Sequence, residues 1–338
     1  MKILITTGIY PPQIGGPSQY AKNLRENLEK KGHKVNVKTY KLGNFLPTGL
    51  RHLYFFLKVI PSVVRSDFCI ILDTLSVGFP TILACKFFRK QSVVRIGGDF
   101  LWEQYVERTG KKILLRKFYN KEIADLSLKE KIILKLTRWT VKNSKALVFN
   151  TKWQAEIWKT PYRMANSNIF IIENFYGSKL PSRSFQKKNF VGGVRNLKWK
   201  NLDTLKKSFS EAQKKNNELV LDLENLPYEN FLEKLRNCYA VILVSLGDVS
   251  PNLISDALSL GKPFILSKET GIYERVLDVG IFVDPRNEKE ITEKILFLSD
   301  QENYENQKRK LESFSFYHSW EEISDEFLDI FKKLSVKI

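Results

Sequence analysis

Short apolar runs alternate with amphipathic stretches from one end of the chain to the other, and this alternation constrains the fold most. Candidate strands are Lys2–Thr7, Lys34–Thr39, Phe68–Leu72, Ser92–Ile96, Lys145–Phe149 and Asn168–Ile172. A second series comprises Asn189–Gly193, Leu219–Leu223, Tyr239–Val244, Lys262–Leu266 and Gly280–Val283. Helical patterns lie between them, among them Ser18–Lys31, Ser127–Asn143, Leu202–Lys214, Pro251–Leu260 and Glu288–Leu298. Apolar strands separated by helices imply parallel sheets covered on both faces. Five or six strands in each half predict two doubly wound α/β domains, which fits 338 residues at ~150 residues per domain. The hinge is expected in Asn174–Lys188, rich in Gly, Ser, Pro and Lys. Helix ends support the pattern: Ser127 with Glu130 reads as a capping box, and Gly32 as a C′ glycine closing the first helix.

Composition narrows the class. Apolar residues make up 43% and charged residues 27%, which excludes disordered, collagen-like and coiled-coil chains. Three scattered cysteines, with no Cys-x-x-Cys, argue against a disulfide framework and fit a reducing, cytoplasmic setting. Three distant histidines suggest no His-rich metal site. The excess positive charge lies in one half: residues 1–180 hold 31 Lys+Arg against 12 Asp+Glu, whereas 181–338 hold 24 against 25. No secretory signal is expected at Met1, and the most apolar stretch, Leu53–Val64, is interrupted by Lys58 and Pro61.

In open α/β sheets ligands bind beyond the carboxyl ends of the strands, so the loops there are the candidate sites. The first strand leads into Thr7-Gly8-Ile9-Tyr10-Pro11-Pro12-Gln13-Ile14-Gly15-Gly16-Pro17-Ser18. This is no dinucleotide fingerprint. Gly15 and Gly16 either let backbone amides approach a phosphate near a helix start or make a plain strand–helix turn. Beyond the first strand of the second half, Arg195 and Lys200 lie just ahead of Leu202–Lys214. They could clamp a diphosphate or form a solvated basic loop. After the strand ending at Val244 comes Asp248-Val249-Ser250-Pro251-Asn252-Leu253-Ile254-Ser255-Asp256. Pro251 fits a first helical turn and Ser250 a cap, which would set Asp248 and Asp256 around one helix start with amides open to an anion.

In order and spacing these motifs resemble the retaining glycosyltransferases of family four, which have the GT-B fold. The resemblance runs from Met1 to about Leu334. It includes the Tyr-Pro-Pro and Gly-Gly loop, the Arg195-to-Lys200 offset and Asp248…Asp256 at the family's Glu-x(7)-Glu position. Ala257-Leu258-Ser259-Leu260-Gly261-Lys262-Pro263 follows, then Thr270-Gly271-Ile272-Tyr273-Glu274 and a closing Ser319-Trp320.

The resemblance implies two Rossmann-like domains facing across a cleft. Residues 1–175 would bind the acceptor and 176–318 the nucleotide sugar, with the last helix, 319–338, packing back on the first domain. It also implies metal-independent sugar transfer with retention, from a UDP- or GDP-sugar to a lipid-linked, cell-envelope or polysaccharide acceptor. Arg195 and Lys200 would stabilise the leaving diphosphate together with Gly15, Gly16 and the helix start at Ser250, Pro251, Asn252 and Leu253. Asp256 would hold the ribose and Asp248 the donor sugar. Where the family carries a histidine near the acceptor, this chain has Gly97, and Asp99 is the candidate for orienting the acceptor hydroxyl. Asp99 could equally cap the following helix. The Asp-for-Glu changes and the missing histidine keep open an alternative, a catalytically impaired relative that binds a nucleotide sugar or a partner without transfer. Nucleic acid is not an expected partner, since no zinc-finger, RNP or helix-turn-helix pattern occurs. An anionic membrane surface is: basic and apolar residues interleave in Arg51–Arg65 and in Lys111–Lys145, which predicts a peripheral protein at the inner membrane face.

Overall fold

A computed structural model describes residues 1–336 except 14, 41–46, 165–167, 182, 184, 186 and 194. The chain runs β1 (Lys2–Thr7), α1 (Gly16–Lys30), β2 (Lys34–Thr39), α2 (Thr48–Arg65), β3 (Phe68–Ile71), α3 (Gly78–Phe87), β4 (Gln91–Ile96), α4 (Phe100–Thr109), α5 (Leu115–Lys121), α6 (Leu128–Asn143), β5 (Ala146–Phe149), α7 (Lys152–Lys159) and β6 (Ile169–Ile171). It continues with β7 (Lys188–Gly192), α8 (Leu202–Lys215), β8 (Leu219–Asp222), α9 (Tyr228–Asn237), β9 (Ala240–Leu243), α10 (Asn252–Ser259), β10 (Phe264–Ser267), β11 (Ile281–Val283), α11 (Glu288–Ser299), α12 (Gln301–Glu312) and α13 (Trp320–Ser335). Among the described residues the strands form two sheets, β2-β1-β3-β4-β5-β6 and β11-β10-β9-β7-β8. Every pairing in both is parallel.

The inner strands explain themselves. Phe68–Ile71, Ala146–Phe149 and Ala240–Leu243 are continuous apolar runs, buried at every position, as strands covered on both faces must be. β2, an edge strand, reads Lys-Val-Asn-Val-Lys-Thr and stays half-exposed. Gly32 closes α1 in the left-handed region at φ 82°. Its N–H donates to Glu29 and that of His33 to Leu28, the paired bonds of a Schellman end. The Ser127–Glu130 capping box opens α6 as the sequence predicts.

Two compact units result. The first comprises Met1–Leu101, Asp125–Asn174 and Ser319–Ile338, the second Trp102–Ala124 and Phe175–His318. The segment Trp102–Ala124, which the sequence boundary leaves in the first half, therefore packs with the second. Trp102 meets Trp199 with ring centroids 5.7 Å apart, and the Leu115 N–H donates to Leu246. In the first unit α1 and α13 cover one sheet face, burying Tyr20, Leu24, Ile323 and Phe327 against Ile3, Ile5, Phe68 and Ile70. In the second, α9 and α10 cover one face through Leu235, Ile254 and Ala257, and α8, α11 and α12 the other through Phe209, Ile291 and Tyr304. The strand order of the second sheet reverses between β7 and β9, and a crevice at the carboxyl ends of those strands is where such folds bind ligands.

Candidate nucleotide-sugar site

The loops beyond β7 and β9 carry the residues singled out from sequence. After β7 the chain makes a 3-10 turn at Lys198–Lys200 and enters α8 through Asn201, held in the left-handed region at φ 59°. Buried Asn201 locks this loop: its amide donates to the Val244 and Pro285 carbonyls at 3.1 and 2.6 Å, and its oxygen accepts from Thr204 at 2.7 Å. The Leu246 N–H donates to Trp199, tying the β9 loop to the β7 loop. Lys200 is thereby fixed. Its Nζ lies 4.3 Å from the Trp199 ring centre and 2.6 Å from Asp248 Oδ2, and neither side chain of the pair is more than 13% exposed. Asp248 is itself held by its backbone, donating to Glu269 and accepting from Gly271. Burial raises the neighbouring Glu269 carboxyl, opposed by the Arg116 charge.

Arg195 is exposed, and no partner for its side chain occurs among the described residues. At the start of α10 the sequence expectation needs correction. Pro251, at ψ 114°, is extended and stands at the N-cap, so the helix begins at Asn252 and Ser250 lies outside it. No side-chain cap forms; the Pro251 carbonyl accepts from Ile254 at 3.0 Å. Ser250 and Leu253 are half-buried and Asn252 is exposed.

Asp256 lies one turn into α10. The Tyr228 hydroxyl, at the start of α9, donates to its Oδ1 at 3.1 Å. Burial pushes the Asp256 carboxyl up to about 6, with the Tyr228 bond pulling the other way. Burial and the Asp256 charge hold the Tyr228 phenol above its ordinary range. Asp248 and Asp256 thus have different partners, a lysine and a phenol.

Gly15, Gly16 and Asp99 belong to the first unit. Gly15 caps α1 at φ 149°, a conformation that favours glycine. Its carbonyl accepts from Ser18 and Gln19. Asp99 is 1% exposed and accepts from the Trp158 indole N–H at 2.8 Å, which fixes the carboxylate just beyond β4. A group that sequence reasoning missed explains Gly97. The Arg95 guanidinium stacks 3.6 Å from the Tyr20 ring centre and donates to Asn174 at 2.7 Å. A Cβ at position 97 would lie 2.9 Å from an Arg95 nitrogen, so no histidine fits there without moving the guanidinium. The signal available in sequence was a charged residue inside an apolar strand. Among the described residues no group of three or more His, Cys, Asp and Glu converges as metal ligands would.

No family profile matches the chain, and no curated protein matches it in sequence. Solved structures do match. Sucrose-phosphate synthase from Thermosynechococcus elongatus gives a TM-score of 0.70 at 13% identity over all of both chains. HepE from Anabaena, in complex with UDP, gives 0.66 at 13% identity over 98% of this chain and 100% of its own. The lipopolysaccharide outer core galactosyltransferase WaaB, in its apo form, gives 0.59 at 14% identity over 98% of this chain and 100% of its own. At these identities the likeness is one of fold. The chain consists of two parallel-sheet α/β domains of the GT-B fold.

Proposed function

We propose that this chain is a retaining, metal-independent glycosyltransferase that moves a sugar from a UDP- or GDP-sugar to a lipid-linked or polysaccharide acceptor. The observation that carries this reading is the Lys200–Asp248 pair on the loops after β7 and β9, the place where a doubly wound sheet takes its ligand, with Asp256 of α10 paired to Tyr228 at the start of α9. Fold neighbours support it: one is a sucrose-phosphate synthase, one a galactosyltransferase, and one was crystallised with UDP.

Breaking the sugar–phosphate bond places charge on the leaving diphosphate. Arg195 offers an exposed planar fork, and Lys200 a point charge held by Trp199 and Asn201's loop. Both stabilise charge that grows in the transition state, which raises turnover more than it tightens binding. Asp256 takes the ribose hydroxyls in exchange for Tyr228. Asp248 orients the donor sugar while keeping Lys200 in place. The resemblance assigns Gly15 and Gly16 to donor binding and the first unit to the acceptor. Asp99, held by Trp158 just beyond β4, orients the acceptor hydroxyl. In a same-face displacement the leaving phosphate takes the acceptor's proton, so no protein base is required.

The crowding of position 97 by Arg95 favours one second reading, a relative that binds nucleotide sugars without transferring them. A thermal-shift panel of UDP-, GDP- and ADP-sugars, followed by product analysis, separates the two. One donor at ~100 times its dissociation constant is expected to stabilise the protein by about 2.7 kcal/mol. Binding without transfer or hydrolysis supports the second reading, and no binding by any donor refutes both.

A further inference from the structure

The helices between β2 and β5 leave an apolar surface uncovered. α2, α3 and α6 pack side by side in the first unit: the His52 and Phe79 rings meet at 6.3 Å, the Phe79 and Trp139 rings at 5.2 Å, and Lys86 donates to Asn143. α2 buries Phe55, Val59 and Val63 completely. At ~100° per residue, Leu50, Leu53, Leu57 and Val64 form a second stripe on the opposite side, and they are 55, 55, 60 and 44% exposed. The neighbouring helices extend it. Phe87, at the end of α3, is 77% exposed, and Leu128 and Ile132, one turn apart on α6, are 77% and 50% exposed. Uncovered apolar area of this kind marks an interaction site.

Charge identifies the partner. α2, α3 and α6 together carry nine Lys and Arg against one acid, Glu130, which is buried in its capping box. Arg65, Lys129, Lys131, Lys135 and Lys142 are exposed. A second copy of the chain would bring the same positive face and be repelled. A nucleic acid would account for the lysines but not for leucines set among them. On α6 the order Leu128, Lys131, Ile132, Lys135 places cations one turn from each apolar side chain. Lysines so placed reach phosphate headgroups while the apolar groups enter the acyl boundary. Among the described residues no helix is long and apolar enough to cross a bilayer.

We propose that the outer faces of α2 and α6, with Phe87 between them, dock the first unit onto an anionic lipid bilayer. The proposal goes beyond sugar transfer and does not depend on it, because docking requires neither donor nor acceptor. Five cations within a Debye length of the surface make the attachment salt-sensitive, and the apolar stripe fixes which side lies down.

The test is co-sedimentation of the full chain with phosphatidylcholine vesicles, with and without phosphatidylglycerol. Binding is expected only with the anionic lipid and is lost at about 0.5 M salt, where the Debye length falls to a few ångströms. Lys131→Ala/Lys135→Ala is expected to weaken partitioning by about 25-fold, roughly fivefold per cation. Leu53→Ser/Leu57→Ser, and separately Leu128→Ser/Ile132→Ser, are each expected to weaken it by about tenfold or more. These side chains are exposed, so unchanged unfolding midpoints confirm that the variants are folded. Equal binding to both vesicle types overturns the proposal. So does anionic binding that the serine variants leave intact, which would mark a purely electrostatic patch. Nucleotide-sugar binding, measured without vesicles, reports on the transfer reading alone.

Discussion

If Asp256 holds the donor's ribose as proposed, donor affinity depends on pH in a way that an ordinary aspartate would not produce. Its carboxyl is raised from 3.8 to about 6. Ribose hydroxyls donate to the ionised form, so apparent affinity scales with the ionised fraction. At pH 7.5 that fraction is nearly complete; at pH 5 it is about a tenth, so binding is expected to weaken by about tenfold. A carboxyl at its ordinary value would still be over nine-tenths ionised at pH 5, and affinity would hardly change. The assay is calorimetric titration of the best-binding nucleotide sugar at pH 5, 6 and 7.5, since its diphosphate diester does not titrate in this range. Asp256→Asn is expected to bind weakly at all three values, with no slope. Tyr228→Phe removes the bond that lowers Asp256, so the midpoint moves further up. Stability follows the opposite sign. The raised carboxyl binds its proton more tightly in the folded state, so stability is gained as pH falls through about 6 toward 3.8 and lost as pH rises. Asp256→Asn is therefore expected to be more stable at pH 7.5, by about 1–3 kcal/mol for a half-buried group. PH-independent affinity, or the same slope in Asp256→Asn, refutes the ribose role.

Arg195→Ala and Lys200→Ala are each expected to lower turnover by about 10²-fold or more, with a smaller effect on the donor Michaelis constant. Steady-state kinetics check this, and unchanged turnover in both variants removes the diphosphate assignment. Lys200→Met alone leaves Asp248 charged and nearly buried, so it is expected to cost about 2–4 kcal/mol in denaturant unfolding, more than Lys200→Met/Asp248→Leu. A double variant no better than the single would show that the pair is not coupled. Gly97→His, which introduces the histidine of the family that the sequence resembles, is expected to destabilise by about 1–3 kcal/mol through its collision with Arg95 and to leave turnover no higher. A stable and faster Gly97→His enzyme would contradict the crowding seen at that position.

What the sequence reveals divides by range. β1 and β2 are legible to the residue as short runs of strand-forming side chains, β1 stopped by Gly8 and β2 opened after Gly32-His33. The Lys262–Leu266 strand begins two residues late, at Phe264. Pro263 has no N–H for the ladder, and the buried Lys262 ammonium instead donates to the Arg183 and Cys238 carbonyls. α2 is harder to read, since Pro61 marks a break in the pattern yet lies inside the helix. Arg195, Lys200, Asp248 and Asp256 are singled out as candidates from offsets along the chain. Their partners are not. Tyr228 reaches Asp256 across 28 residues, Lys200 reaches Asp248 across 48, and Arg95 reaches Asn174 across 79. Only folding brings such groups together, so burial and charge pairing had no local pattern to announce them. The Ser250 cap fails for a short-range reason: Pro251 takes an extended ψ, which moves the helix start by one residue.

The most direct test of sugar transfer with retention is the anomeric configuration of the product. The donor found by thermal shift is incubated with membrane lipid extract or glycan acceptors, and the anomeric proton of the transferred sugar is read by NMR at the earliest detectable turnover. An axial donor bond is expected to give an axial product bond, with transfer lost in Lys200→Ala. An equatorial product, or turnover undiminished in Lys200→Ala, would contradict the assignment of this site.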